Sequence, residues 1–312
     1  MKYCFGVDIG GTTVKIGLFD EDGTICDKWE IKTRKENAGE NILPDVANSI
    51  IEKLEEKAID KKDVLGIGTG IPAPINEEGI VNGTVNLGWG YKEVKKELEE
   101  LTGLTVMTGN DANVAALGEM WKGSGKGAKN MVMVTLGTGV GGGIIVDGKI
   151  LAGSHGAGGE IGHICVDYDE TDKCGCGNTG CLEMYASATG IVRLAKRKLA
   201  GETRDTKLKT FDDITAKDVF DCVKENDAVA VEIANQFGEY LGAGMAIVCA
   251  ITDPSVIVIG GGVSKAGEVL LDYVKKGFQK RCFFANKGVE FVLASLGNDA
   301  GICGCAKMIL DK

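Results

Sequence analysis

Apolar residues recur along this chain with two periods. Between residues 41 and 57 they fall at Ile42, Val46, Ile50 and Leu54, which places them on one stripe of a helix. Residues 91–102 form a charged segment with the same kind of spacing. Further helical patterns cover residues 111–121, 183–200, 227–251 and 300–310, and a polar connection fills 201–215. Short apolar runs at 64–70, 104–107 and 255–259 predict strands, and "IPAPI" at 71–75 predicts a loop. Two segments share one pattern. Residues 7–23 and 134–148 each run strand, glycine turn, strand, Asp-Gly turn, and each leads into a third strand, at 24–32 and 149–152. Asp-Gly between apolar runs is a hairpin signal. The chain is therefore expected to hold two related β-meander halves, each followed by helices, in an α/β architecture.

Length and composition narrow the picture. At 312 residues there is room for two domains. A net charge of -10 argues against a nucleic-acid partner. No apolar run approaches the length of a membrane span, so no membrane partner is expected. The N-terminal "MKYCFGVDIGG" lacks a basic segment followed by a long apolar one, and the 11 cysteines are odd in number. Both point to reduced thiols in a cytoplasmic protein. The 47 glycines are clustered, as they are where backbone must approach something closely.

The clusters carry the candidate chemistry. Residues 137–142 match G-x-G-x-x-G, but "GIIVDGKIL" continues as a strand where a dinucleotide site needs a helix, so that site is excluded. "GSGKGAK" at 123–129 lacks the spacing of a P-loop. There remain two hairpin turns, "DIGGTT" and "LGTGVGG", whose backbone N–H groups can bracket a polyphosphate, with Thr12, Thr13, Lys15 and Thr138 beside them. Asp8 suits a hydrated Mg²⁺. Gly260, Gly261 and Gly262 follow a strand. They allow either close approach of a flat ligand such as adenine or tight strand–helix packing.

Asp111 stands in "GNDAN", where a strand meets a helix. It is either a helix cap or, with Asn110, a sugar-binding carboxylate able to take a proton from a hydroxyl. Cys174, Cys176 and Cys181 fall in a C-x-C-x₄-C array, with His163 in "GGEIGH" upstream. Together they fit a closed Cys₃His zinc site of structural type, against the plainer reading of reduced cysteines in a loop. His155 lies among small residues and its spacing gives it no role.

"DIGGTTVK", "GNDAN", "LGTGVGGGII", "GGEIGH" and "CGCGNTGCLE" stand in the order found in the ROK sugar kinases. The chain resembles the bacterial glucokinase type of that family along essentially its whole length. The resemblance implies an actin-like, ribonuclease-H-like fold of two lobes around a cleft, with ATP-dependent phosphorylation of glucose at its 6-hydroxyl. It implies Asp111 as catalytic base and Asn110, Glu160, His163 and Glu183 as sugar ligands. Asp8, Gly10, Gly11, Thr12, Thr13 and Lys15 resemble the first phosphate loop, and Thr138 and Gly139 the second. Gly260 to Gly262 resemble the adenosine contact. His163 would hold structural zinc with one ring nitrogen and face sugar with the other. The lobes are expected at 1–112 with 299–312, and at 113–298, as a homodimer or homotetramer. Cys303 and Cys305 stand where the family has small or apolar residues and are expected to be buried.

Rival substrates are N-acetylmannosamine, N-acetylglucosamine and allose; the amino sugars are separated by the pocket near Ala73 and Asn86, and fructose fits less well. Polyphosphate needs only a change of donor. A sugar-sensing repressor on the same scaffold would carry a helix-turn-helix ahead of "DIGGTT", which here begins at residue 8.

Overall fold

The repeated strand–turn–strand pattern builds two five-stranded sheets of one topology in this computed structural model, which describes residues 1–84 and 86–312. In the first sheet, β1 (Tyr3–Ile9), β2 (Thr13–Asp20) and β3 (Ile25–Lys32) form an antiparallel meander. β4 (Val64–Ile71) joins β1 in parallel. A separate two-stranded ribbon, β5 (Ile80–Val81) and β6 (Lys92–Glu93), follows, and β7 (Val106–Asn110) completes the order β3-β2-β1-β4-β7. The second sheet repeats this. β8 (Met131–Leu136), β9 (Val140–Val146) and β10 (Lys149–Ile150) make the meander, and β11 (Val256–Gly260) and β12 (Glu290–Leu293) add in parallel. The two expected meander halves are present. β7 runs later than the apolar run at 104–107 because its register with β4 extends from Val106 to Asn110.

Helices fill the intervals. After a short turn α1 (Glu36–Gly39), α2 (Ile42–Glu56) buries Ile42, Val46, Ile50 and Leu54 as its spacing predicts. α3 (Val94–Thr102) starts later than expected because Lys92 and Glu93 pair with β5. α4 (Asp111–Lys122) leaves directly from the end of β7. The helix expected over 183–200 is two, α5 (Glu183–Ala186) and α6 (Ala188–Leu199). Ser187 is extended between them, and its hydroxyl accepts from the Gly190 N–H at 2.9 Å, an N-cap. α7 (Ala216–Lys224), to which no element was assigned from the sequence, buries Ala216, Val219, Phe220 and Val223 at helical spacing and opens on a capping box of Thr215 and Asp218. α8 (Ala228–Thr252), capped by Asp227, α9 (Glu268–Gln279) and α10 (Ala300–Leu310) complete the set.

Each sheet has its own core. Phe5, Val7, Ile16, Leu43, Ile50 and Leu98 pack in the first, and Val132, Val134, Phe237, Leu241 and Ile257 in the second. Full burial of such a side chain contributes about 1.5–3 kcal/mol. Between the cores, Val114, Leu117, Met131, Val258, Cys305 and Met308 join α4 and α10 to the second sheet. α10 returns to the first sheet and lies on β1, β4 and α4 at backbone contact. A Cβ on Gly68 would lie 1.9 Å from the Cys305 carbonyl oxygen, and one on Gly304 would lie 1.6 Å from that of Val114. Some of the abundant glycine thus serves helix docking. Cys303 and Cys305 are buried as expected, with the Cys305 thiol donating to the Val7 carbonyl at 3.2 Å. Among the described residues no helix is long and apolar enough to cross a membrane.

Candidate active site

The two meanders present equivalent positions to one cleft. Asp8 on β1 and Lys15 on β2 are direct cross-strand partners, one step before the pair that closes the hairpin. Thr135 on β8 and Gly141 on β9 occupy the corresponding step of the second hairpin. All four line a cleft of roughly 760 Å³ between the sheets. Asp111, Gly137, Gly139, Glu160, His163, Glu183 and Gly260 to Gly262 line it too. Gly10, Gly11, Thr12, Thr13 and Thr138 stand outside that lining, on the hairpin turns. The first turn closes with Gly10 N–H donating to Thr13 O at 3.0 Å, and the Thr33 hydroxyl donates to Gly10 O at 2.7 Å.

Asn110, not Asp111, is the cap of α4. Its Oδ1 accepts from the N–H groups of Ala112 at 3.0 Å and Asn113 at 3.2 Å, and its Nδ2 donates to Ala73 O at 3.3 Å. Asn110 lines an adjoining cavity behind α4 and stands outside the main lining. Capping by Asn110 leaves the Asp111 carboxylate with a single local bond, from Ala112 N–H at 2.8 Å. Burial is the main force on Asp111; the Ala112 bond opposes it, and the charges of Asp8 and Glu160 add to it. The result is a carboxyl pushed from 3.8 up to about 6. Asp8 is raised too, by burial, with Lys15 opposing. The Asp8 side chain fills the space over Gly301, where a Cβ would lie 2.6 Å from Oδ2. Asn86 sits against Gly11, whose Cβ would lie 3.5 Å from that of Asn86.

The cysteine array closes on itself. His163, Cys174, Cys176 and Cys181 bring one donor atom each within 4.8 Å of one another. Cys176 and Cys181 Sγ are 3.6 Å apart, and Cys174 Sγ lies 3.8 Å from His163 Nδ1. Sulfurs about 2.3 Å from one tetrahedral zinc stand roughly 3.8 Å from each other, whereas a disulfide needs about 2.05 Å. None of the cysteines is in a disulfide. Burial raises the thiols of Cys174 and Cys181, so thiolates there call for a cation among them. The donor set fits zinc. With Nδ1 turned to the sulfurs, Nε2 is the His163 nitrogen left for the cleft.

Glu183 ties this array to the second glycine turn. Its Oε2 accepts from Val140 N–H at 3.0 Å, and its Oε1 lies 3.6 Å from Cys174 Sγ. A Cβ on Gly139 would lie 2.1 Å from Oε2, so the carboxylate requires glycine there. From behind, the Tyr185 hydroxyl lies 2.9 Å from Asp167 and 2.7 Å from Glu170, its one proton shared between the two carboxylates, and Arg193 and Arg197 grip Glu170. Those guanidinium groups hold the Glu170 carboxyl well below the usual range, led by Arg197. The cysteine loop is thereby fixed to α6.

Several cleft residues escaped the sequence reading: Thr135, Ser264, Lys265, Asn298 and Gly301. Thr135 was findable, since it takes the place of Asp8 in the repeat. Asn113 is buried, donates to Gly158 O at 3.4 Å beneath the Glu160 loop, and its Oδ1 has no partner among the described residues.

The ROK family model matches residues 4–312. A glucokinase of Halalkalibacterium halodurans is 45% identical over 97% of this chain and 93% of its own length. A glucokinase of Thermotoga maritima is 36% identical over 98% of this chain and 97% of its own. The crystal structure of a ROK family glucokinase from Streptomyces griseus in complex with glucose and AMPPNP superposes with a TM-score of 0.75, at 33% identity, covering 98% of each chain. The two-lobed actin-like fold expected from the motifs is the fold these relatives share, and the chain belongs to the ROK family.

Proposed function

We propose that this protein is an ATP-dependent hexose kinase that phosphorylates the 6-hydroxyl of glucose. The observation that carries the reading is the cleft itself. It is lined by a desolvated carboxyl, Asp111, together with Asp8 and Lys15 next to the first hairpin turn and Gly137 and Gly139 of the second, in a chain 45% identical to a glucokinase. In this reading Asp111 accepts the proton of the attacking hydroxyl. Glu160, His163 and Glu183 wall the sugar, with Asn110 fixing the Ala73 carbonyl and the start of α4. Lys15 and the turns at 10–13 and 137–139 face the phosphates, and Gly260 to Gly262 face the adenosine. Bound with ATP, Mg²⁺ neutralises phosphate charge, and Asp8 is the residue that would hold it. Zinc held by His163, Cys174, Cys176 and Cys181 would do no chemistry; it would keep His163 and Glu183 in place. Closure would bring residues 1–112 with 299–312 toward 113–298.

ADP release with MgATP and a panel of glucose, allose, fructose, N-acetylglucosamine and N-acetylmannosamine tests the assignment. The highest kcat/KM is expected for glucose. Preference for an N-acetylated sugar would overturn the substrate, and no ADP release with any sugar would overturn the kinase reading.

A further inference from the structure

Glu119 lies on α4 and is wholly buried. Its partners are N–H and O–H donors from two loops. Oε1 accepts from Ser295 N–H at 3.0 Å and Leu296 N–H at 2.8 Å. Oε2 accepts from Ser124 N–H at 2.9 Å and, more weakly, from Ser295 N–H at 3.2 Å and its hydroxyl at 3.4 Å. Gly123 leaves room for this, since a Cβ there would lie 1.9 Å from Oε2. A buried carboxylate is costly unless such bonds satisfy it, and an apolar side chain would fill the same core more cheaply. The charge therefore has a use beyond filling space.

That use is visible in what the clamp holds. Ser295 and Leu296 belong to the segment joining β12 to α10. From it Ala294, Gly297 and Asn298 line the cleft, joined by Ala300 and Gly301 at the start of α10, and Gly301 supports the Asp8 carboxylate. Asp111 starts the same helix, about 12 Å along the axis from Glu119. We propose that Glu119 is a positioning residue for the nucleotide: it locks the 294–301 wall of the cleft to the helix that carries Asp111. Donor and base are thereby registered through one rigid element. The inference rests on the kinase reading for the identity of the nucleotide.

Two changes separate positioning from bulk stability. Glu119→Ala removes both acceptors. Glu119→Gln keeps Oε1 and its bonds from the Ser295 and Leu296 N–H groups, while its Nε2 replaces the acceptor facing Ser124 and can donate to the Ser295 hydroxyl instead. MgADP binding by calorimetry is expected to weaken about tenfold or more in Glu119→Ala and to stay within about threefold in Glu119→Gln. The KM for ATP should follow, with the KM for glucose within about twofold. Leu296→Pro gives an independent arm if Glu119→Ala does not fold. Its φ of -81° is acceptable to proline, and it removes one donor while leaving the carboxylate; it should also weaken MgADP. Unchanged MgADP affinity in Glu119→Ala or Leu296→Pro would overturn the proposal, as would equal losses toward ATP and glucose. MgADP binding is read without turnover, so failure of the wild-type protein to phosphorylate glucose would strike the kinase reading and not the clamp.

Discussion

A base that must be ionised gives this cleft a pH signature. Asp111 is pushed to about 6, chiefly by burial and further by Asp8 and Glu160. It accepts a proton only as the carboxylate, so activity is gained as pH rises through that value. With a pKa near 6, about nine sites in ten are ionised at pH 7 and about one in eleven at pH 5. The expected kcat/KM for glucose at pH 5 is thus roughly a tenth of its plateau, with unit slope below the bend. The same displacement bears on stability. A carboxyl raised from 3.8 favours the folded state fully below 3.8, and that contribution is lost as pH rises through about 6. Ionising it in the fold costs roughly 3 kcal/mol more than in the unfolded chain, as an upper figure. Asp111→Asn should therefore melt no lower than wild type at pH 8 while losing about 10²- to 10⁴-fold in turnover. The assay is initial-rate ADP release from pH 4.5 to 9, with thermal melts in parallel. An acid limb bending near pH 4, or an Asp111→Asn variant with near-normal turnover, would refute the reasoning.

The zinc site and the helix docking give further tests. Metal analysis of the purified protein should find about one zinc per chain; Cys176→Ala should lose it and raise the KM for glucose about tenfold or more, with the KM for ATP little changed. Zinc-free wild-type protein of full activity would contradict this. Gly304→Ala places a Cβ 1.6 Å from the Val114 carbonyl oxygen, which neither helix backbone can yield without moving. Urea denaturation should register a loss of about 3 kcal/mol, and an unchanged midpoint would show that α10 docks otherwise.

What was legible in the sequence was what local pattern encodes. Two hairpins with Asp-Gly turns announced two sheets, and Ile42, Val46, Ile50 and Leu54 announced α2, because period and turn chemistry are written residue by residue. The cysteine array was legible for the same reason: its ligands lie close in sequence, and His163 needed only the short loop to fold back. The break at Ser187 was not, since the apolar stripe of 183–200 continues through it and only the cap geometry reveals it. Glu119 was illegible because its partners, Ser295 and Leu296, lie at the far end of the chain and meet it through backbone N–H groups that no side-chain pattern marks. Asp111 showed the opposite problem. Its position at a helix start was plain, but whether it capped the helix depended on the rotamer of Asn110 beside it.

The most direct test of the account is the product itself. Purified protein with glucose and MgATP, followed by ³¹P and ¹H NMR, should form glucose 6-phosphate and ADP in equal amounts, and Asp111→Asn should form neither at a comparable rate. Phosphate on another hydroxyl, or ATP consumed without a sugar phosphate, would contradict the claim that this cleft presents the 6-hydroxyl of glucose to Asp111 and to the γ-phosphate of ATP.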